Sequence, residues 1–170
     1  MKKMMTYLSV LVMVIGLSVA AHATLVDMHD GTIYSTNTQL SWLKDVAAGG
    51  LKTWDQAVAW AASLNADGGF ASLTGWRLPN VDPACGFNSN CTNSEIGYLY
   101  YTELGNKAGG PLTDTGPFTN LQAFNCWAVT EAAPNPDLAW SFYVGGGLQG
   151  VSCKVNGGYA WAVRPGMRSQ

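Results

Sequence analysis

The sequence predicts an α+β domain in which two helices pack on antiparallel sheets. Two segments carry the helical pattern, one that begins at Thr53 and one that spans about residues 95–104. From about residue 125 onward, apolar and polar side chains alternate with a period of two, which is typical of strands with one buried face. Four cysteines add a third observation, because an even number in an exported chain favours two disulfides.

The first 23 residues have the pattern of an export signal. Lys2 and Lys3 precede an apolar stretch, Tyr7–Val19, that is too short to span a bilayer comfortably, and a small-x-small cleavage site ends at Ala23. A retained N-terminal anchor is the alternative. Cleavage would leave residues 24–170 as one domain without a stable membrane span, so we expect a periplasmic, secreted or cell-surface protein.

The charge of the expected mature chain disfavours two classes of partner. The sequence has 9 basic and 11 acidic residues, and loss of Lys2 and Lys3 leaves 7 basic residues, so the net charge becomes 7 − 11 = −4. No cluster of Lys or Arg occurs in the sequence, which argues against nucleic acid as a partner. The same lack of positive charge argues against a polyanionic glycan as a ligand.

Short strands and a capped helix are predicted in the first part of the mature chain. The strands are Leu25–Asp27, Thr32–Tyr34 and Leu40–Leu43. Thr53 starts the helix with a capping box, because its hydroxyl can accept from the backbone while Gln56 reaches back. At helical spacing the buried stripe consists of Trp54, Ala57, Val58, Ala61 and Leu64.

The second half of the chain predicts a helix, a long loop and an antiparallel meander. Asn93 or Ser94 caps the helix, which runs to Leu104 and ends at Gly105. Residues 106–120 form a Gly-, Pro- and Thr-rich surface loop. The predicted strands are 125–130, 138–144, 150–155 and 159–164. A three-residue loop, Asn156-Gly157-Gly158, would join the last two strands and keep their apolar side chains on one face.

The positions of the cysteines favour one pairing of the three that four cysteines allow. Cys85 and Cys91 enclose a polar loop, while Cys126 and Cys153 lie on two predicted strands. We therefore expect Cys85–Cys91 and Cys126–Cys153 disulfides. Spacings of 6, 35 and 27 residues disfavour a four-thiolate metal site, which needs Cys-x2–4-Cys pairs.

Gly75-Trp76-Arg77-Leu78-Pro79 predicts a structural clamp. Trp76 and Leu78 favour burial, and Arg77 between them offers five donors in a fixed geometry. If Arg77 is drawn inward, it must find carboxylates or carbonyls there. We expect it to pin the helical half of the domain to the sheet half; the alternative is an exposed Arg whose stem covers its apolar neighbours.

Four segments together resemble one bacterial family. They are residues 40–45, 53–57, 75–80 and 158–166, with Trp-Arg-Leu-Pro the most specific motif. They are similar to the domain at the C-terminus of Legionella collagen-like adhesins, and the resemblance covers about Gly31 to Gly166. It implies a C-type-lectin-like fold. Adhesin members of the family are associated with sulfated glycans, whereas this chain lacks the positive charge for them.

The loop at residues 131–137 is the candidate ligand-binding site. Glu131, Asn135 and Asp137 supply hard oxygen ligands of the kind calcium prefers, and Trp127 and Trp140 lie on the flanking strands. C-type lectins bind sugar through such a calcium with a Glu-Pro-Asn loop and a later Trp-Asn-Asp. Neither motif is present in full. The alternative is a Pro-Asn-Pro-Asp turn that merely joins two strands.

These observations favour an exported, non-enzymatic domain that recognises a glycan or protein at the cell envelope. The rival hypothesis is a structural or assembly module of the envelope without a small ligand. Third is a divergent enzyme similar to formylglycine-generating enzymes, which share the lectin-like fold and need a free, close cysteine pair. No esterase, phosphate-loop or zinc-protease motif occurs, and we expect no cofactor unless calcium binds the 131–137 loop.

Overall fold

The computed structural model describes residues 24–167, and the predicted export signal, residues 1–23, lies outside them. Within residues 24–167, nine strands and two helices make an α+β fold with two sheets, as the sequence predicts. The strands are β1 Leu25–Asp27, β2 Thr32–Ser35, β3 Leu40–Leu43, β4 Leu51–Lys52, β5 Asn125–Glu131, β6 Leu138–Tyr143, β7 Leu148–Cys153, β8 Gly158–Tyr159 and β9 Val163–Pro165. Within the described residues, no helix is long and apolar enough to cross a membrane.

The first sheet joins the two ends of the described chain. Its order is β1-β2-β3-β9, antiparallel throughout, and Trp42 at its centre lies opposite Ile33 on one side and Val163 on the other. All three side chains are fully buried. The closing strand β9 also bonds through Val163 to the backbone of Arg77, so the Trp-Arg-Leu-Pro segment extends this sheet by one bridge.

The first helix, α1 (Trp54–Ser63), begins as its capping box predicts. The Thr53 hydroxyl accepts from the Gln56 N–H, and the Gln56 side chain accepts from the Thr53 N–H. Trp54, Ala57 and Ala61 are buried. The Trp54 indole donates to the Ala128 carbonyl at 2.8 Å, which ties the helix to β5 of the second sheet.

The second helix is a hybrid of α- and π-helical turns. α2 (Glu95–Tyr98) continues directly into a π-helical turn, Leu99–Glu103, and Gly105 follows in a left-handed conformation. Ser94 occupies the N-cap position, but its side chain bonds Asp82 and Gln149 instead of the helix backbone. Ile96, Leu99 and Tyr100 face the core.

The second sheet has the order β4-β8-β5-β6-β7, and its topology corrects the predicted meander. β7 and β8 do not form a hairpin of any loop length. β8 inserts between β4 and β5, antiparallel to the first and parallel to the second. The predicted three-residue loop, which would place Val155 on the buried face, is wrong, because Val155 is 80% exposed. The chain then crosses to β9 in the other sheet, and Trp161 in the crossing segment is buried with its indole donating to the Leu43 carbonyl at the end of β3.

Only one of the two predicted disulfides forms. Cys85 and Cys91 are bonded, with their Cα atoms 5.9 Å apart, whereas Cys126 and Cys153 are free thiols, the first buried and the second exposed. Strand β6 separates these two, since Cys126 pairs with Phe142 and Phe142 pairs with Gln149, four residues before Cys153. Two interstrand spacings and an offset of four residues along the strand place the Cα atoms of Cys126 and Cys153 about 16 Å apart. This distance is far beyond the roughly 7 Å Cα–Cα limit of a disulfide.

Candidate functional site

The predicted 131–137 loop is a tight, exposed turn between β5 and β6. It is closed by backbone bonds between Ala132 and Leu138 and between Asn135 and Ala132, and its Ala133–Pro134 bond is cis. The Glu131 carboxylate is 2.6 Å from the Lys154 ammonium, and the Asn135 side-chain oxygen accepts from the Asp137 N–H at 3.0 Å. The polar groups of this loop are therefore largely engaged in holding the turn.

The two tryptophans beside this loop belong to the core. Trp127 is 1% exposed, and its indole donates to the Lys52 carbonyl at 2.9 Å. Trp140 is buried against Val81 and contacts Phe87, with ring centroids 5.4 Å apart. Neither indole presents a free face beside Asn135.

A calcium ion does not fit the predicted ligand set. Calcium takes six to eight oxygen ligands, so a site needs several converging carboxylates or carbonyls. The Glu131 carboxylate faces Lys154 instead, and the Asn135 oxygen caps its own turn. Across residues 24–167, no group of three or more His, Cys, Asp or Glu side chains could hold a metal ion.

The loop at residues 106–120 is organised by one buried side chain. Asn106 is 4% exposed; its oxygen accepts from the Thr113 and Asp114 N–H groups, and its amide donates to the Asp114 carbonyl. The end of the loop docks on the first sheet, because the Thr119 N–H donates to the Lys44 carbonyl at 2.9 Å. This loop therefore has a fixed shape.

Arg77 forms a bidentate ion pair with the first residue of α2. Its two terminal nitrogens each lie 2.7 Å from one carboxylate oxygen of Glu95, and one nitrogen also donates to the Leu78 carbonyl. The Arg77 and Glu95 side chains are 31% and 19% exposed. Because the Arg77 backbone bonds Val163 in β9, this residue links α2 to the first sheet.

A cleft of about 410 Å³ lies between the end of α1 and the first sheet, and it shares no lining residue with the 131–137 loop. Its apolar wall comes from Trp60 on α1, Leu64 directly after α1, Phe70 in a 3₁₀ turn further along the chain, and Leu43 at the end of β3. Lys44, Asp45 and Thr119 supply its polar part. The cleft therefore combines an aromatic wall with a small number of polar groups, as ligand pockets commonly do.

Backbone bonds fix the walls of the cleft relative to one another. Phe70 donates its N–H to the Leu64 carbonyl at 2.8 Å, and Lys44 donates its N–H to the Gly31 carbonyl at 2.9 Å. Val46 donates to the Thr119 carbonyl at 3.0 Å. A preformed cavity therefore lies between α1, the 3₁₀ turn, the end of β3 and the 106–120 loop.

The polar part of the cleft contains both an acceptor and a donor. One oxygen of Asp45 accepts from the Ala47 N–H and from the Asn120 amide, and its other oxygen has no partner among the described residues. The Lys44 ammonium lies 2.6 Å from an oxygen of Asp27. Lys44 and a backbone bond to His29 hold the pKa of the Asp27 carboxyl below its ordinary value, so this pair stays ionised.

Residues 31–164 match the Lcl C-terminal domain, which is most of the chain and nearly all of the described part. The chain belongs to the Lcl C-terminal domain family. No curated protein matches it, and no solved structure does. The family is adhesin-associated and is not a known enzyme family. The C-type-lectin-like relationship stays a prediction.

Sequence reasoning did not find the cleft of this Lcl domain, although one signal was present. Trp60 lies at the edge of the buried stripe of α1, where it packs partly against the core and leaves part of its ring exposed. Four tryptophan indoles donate to backbone carbonyls, whereas the indoles of Trp60 and of buried Trp42 have no acceptor within residues 24–167. A half-exposed tryptophan without a partner marks a surface suited to binding.

Proposed function

We propose that this Lcl domain is a non-enzymatic recognition module that binds a glycan or protein partner at the cell envelope. The single observation that carries the proposal is the preformed cleft of about 410 Å³ with its aromatic wall. A cavity whose walls are fixed before a ligand arrives loses little conformational entropy on binding. The family relationship supports an external partner, and the predicted export signal would deliver the domain to it.

The positions of the two free thiols support a non-enzymatic role over formylglycine-type chemistry. That chemistry needs two thiols in proximity, and Cys126 and Cys153 are separated by strand β6. Burial raises the pKa of the Cys126 thiol to about 12, so it is protonated and unreactive at neutral pH. We therefore place the function of the domain in binding.

A binding screen separates recognition from a purely structural role in the envelope. The purified domain, residues 24–170, is applied to an array of neutral and acidic glycans and to immobilised envelope extract, with calcium and with a chelator. We expect saturable binding that the chelator does not abolish, with a dissociation constant of about 1 mM to 1 μM for a single site. Silence on every surface in both conditions would favour the structural module.

A further inference from the structure

We propose that the cleft beside α1 binds a neutral pyranose residue of a glycan without the help of a metal ion. The sugar ring lies against Trp60 and Phe70, and its hydroxyls bond to Asp45 and Lys44. This inference rests on the proposed recognition function and assigns it a place and a ligand class. The place differs from the 131–137 loop that the sequence favoured.

Both aromatic side chains of the wall are held in position by a glycine beneath them. A Cβ added to Gly31 would lie 3.0 Å from the Phe70 ring, and one added to Gly49 would lie 2.9 Å from the Trp60 ring. Phe70 also packs edge-on against buried Trp76, with centroids 5.9 Å apart. The rings therefore rest closely on backbone and do not need to be ordered by the ligand.

A partly exposed aromatic wall suits the apolar face of a sugar ring. Phe70 is 39% exposed and Trp60 is half-buried, so ring surface is open to the solvent in the free protein. A pyranose carries C–H groups on its faces and hydroxyls around its edge. Stacking such a face on the aromatic rings removes apolar area from water while the hydroxyls stay available for hydrogen bonds.

The charges of the rim select against anionic ligands and favour hydroxyl groups. The free oxygen of Asp45 can only accept, and the Lys44 ammonium can only donate. A hydroxyl does both, so a row of hydroxyls satisfies both groups. Asp27 already neutralises the Lys44 ammonium, so the Asp45 carboxylate is the unpaired charge of the rim. It repels an anion, and a neutral hydroxyl can donate a hydrogen bond to it. An aliphatic peptide side chain would fill the wall but leave Asp45 desolvated without a donor.

The test is an NMR titration of the nitrogen-15-labelled domain with small probes, in the presence of a chelator. The neutral probes are the methyl pyranosides of glucose, galactose and mannose, together with N-acetylglucosamine. Glucosamine and glucuronate are matched charged probes, the first a cation and the second an anion at neutral pH. Each is added to about 20 mM, well above the ~1 mM dissociation constant of a weak single site.

We expect at least one neutral pyranoside to shift the Trp60 indole signal and the backbone signals of residues 43–45 and 119. Glucuronate should bind at least fivefold more weakly than that pyranoside. Trp60→Ala should weaken binding at least tenfold. Asp45→Asn retains the oxygen that accepts from Ala47 and Asn120, and we expect about fivefold weaker binding from it. Phe87→Ala, an exposed aromatic in the disulfide loop, is the control and should not change binding.

Three outcomes would overturn the inference. Shifts confined to residues 131–137 would place the site there, and preferential binding of glucosamine or of a lysine methyl ester would make the cleft a cation site. Absence of binding by every neutral probe would exclude a pyranose ligand. If the domain binds no neutral probe but still binds envelope extract, the proposed recognition function stands. If it binds neither the probes nor the extract, the proposed function is refuted as well.

Discussion

Replacement of Arg77 by Ala should lower the stability of the domain by about 2 kcal/mol. Two charge-assisted hydrogen bonds of 2.7 Å are lost, and the partly buried Glu95 carboxylate keeps only the bond it accepts from the Asn80 N–H. A fully buried pair broken on one side costs about 3–5 kcal/mol, and an exposed pair about 0.2–1 kcal/mol. The side chains of Arg77 and Glu95 are 31% and 19% exposed, so the value falls between these limits.

Thermal and urea unfolding of matched variants measure this effect. For a domain of this size, about 2 kcal/mol corresponds to a fall in Tm of about 4–8 °C. Arg77→Lys should cost about half as much, because a lysine cannot supply the planar pair of donors. A double-mutant cycle with Glu95→Ala isolates the ion pair from the bond that Arg77 also makes to the Leu78 carbonyl.

Glu131→Ala is the control for the Arg77 variants. Glu131 and Lys154 form an ion pair of comparable length, 2.6 Å, but the Glu131 side chain is 57% exposed. We expect a cost below about 1 kcal/mol for this variant. If Arg77→Ala lowers Tm by no more than Glu131→Ala does, Arg77 is a surface residue and does not clamp α2 to the first sheet.

Three further predictions concern buried groups. Without reductant, a thiol reagent should label only Cys153 in the native domain and should label Cys126 only after unfolding. The reason is that Cys126 is buried and its pKa is raised to about 12. If neither thiol is labelled in the unfolded chain, the two form a second disulfide. Burial raises the pKa of Glu103, so its contribution to stability is full below about pH 4.3, the ordinary glutamate pKa, and is lost as pH rises through the folded pKa. Glu103→Gln should therefore gain stability relative to the parent in urea titrations as the pH rises above about 4.3, and a pH-independent difference would contradict this. Asn106→Ala removes the four hydrogen bonds that its side chain makes to residues 113 and 114, and it should cost about 2–3 kcal/mol. It should also open the 106–120 loop to limited proteolysis, an effect absent from an exposed control such as Thr115→Ala.

The parts of the fold that depend on local chemistry were predictable from the sequence. The capping box of Thr53 and Gln56 involves residues three apart, and the left-handed Gly105 ends the second helix within one turn. The sequence pattern of β6 likewise marks a strand by itself, although both faces of that strand are buried and not one face as predicted. In each case the information that specifies the element lies within a few residues of it.

The parts that depend on distant contacts were not predictable. Gly158 and Tyr159 form a strand only because β4 and β5 lie on either side of them. The offset between Cys126 and Cys153 follows from the registers of two strand pairs, neither of which the sequence specifies. The cleft likewise arises where α1, a 3₁₀ turn, the end of β3 and the 106–120 loop meet.

A crystal structure of the domain soaked with the tightest-binding neutral pyranoside tests the central claim most directly. The account predicts one sugar ring between Trp60 and Phe70, with hydroxyls within hydrogen-bonding distance of the free oxygen of Asp45 and no metal ion beside it. Density for the sugar at the 131–137 loop, or at a calcium ion held by Glu131 and Asp137, would contradict it.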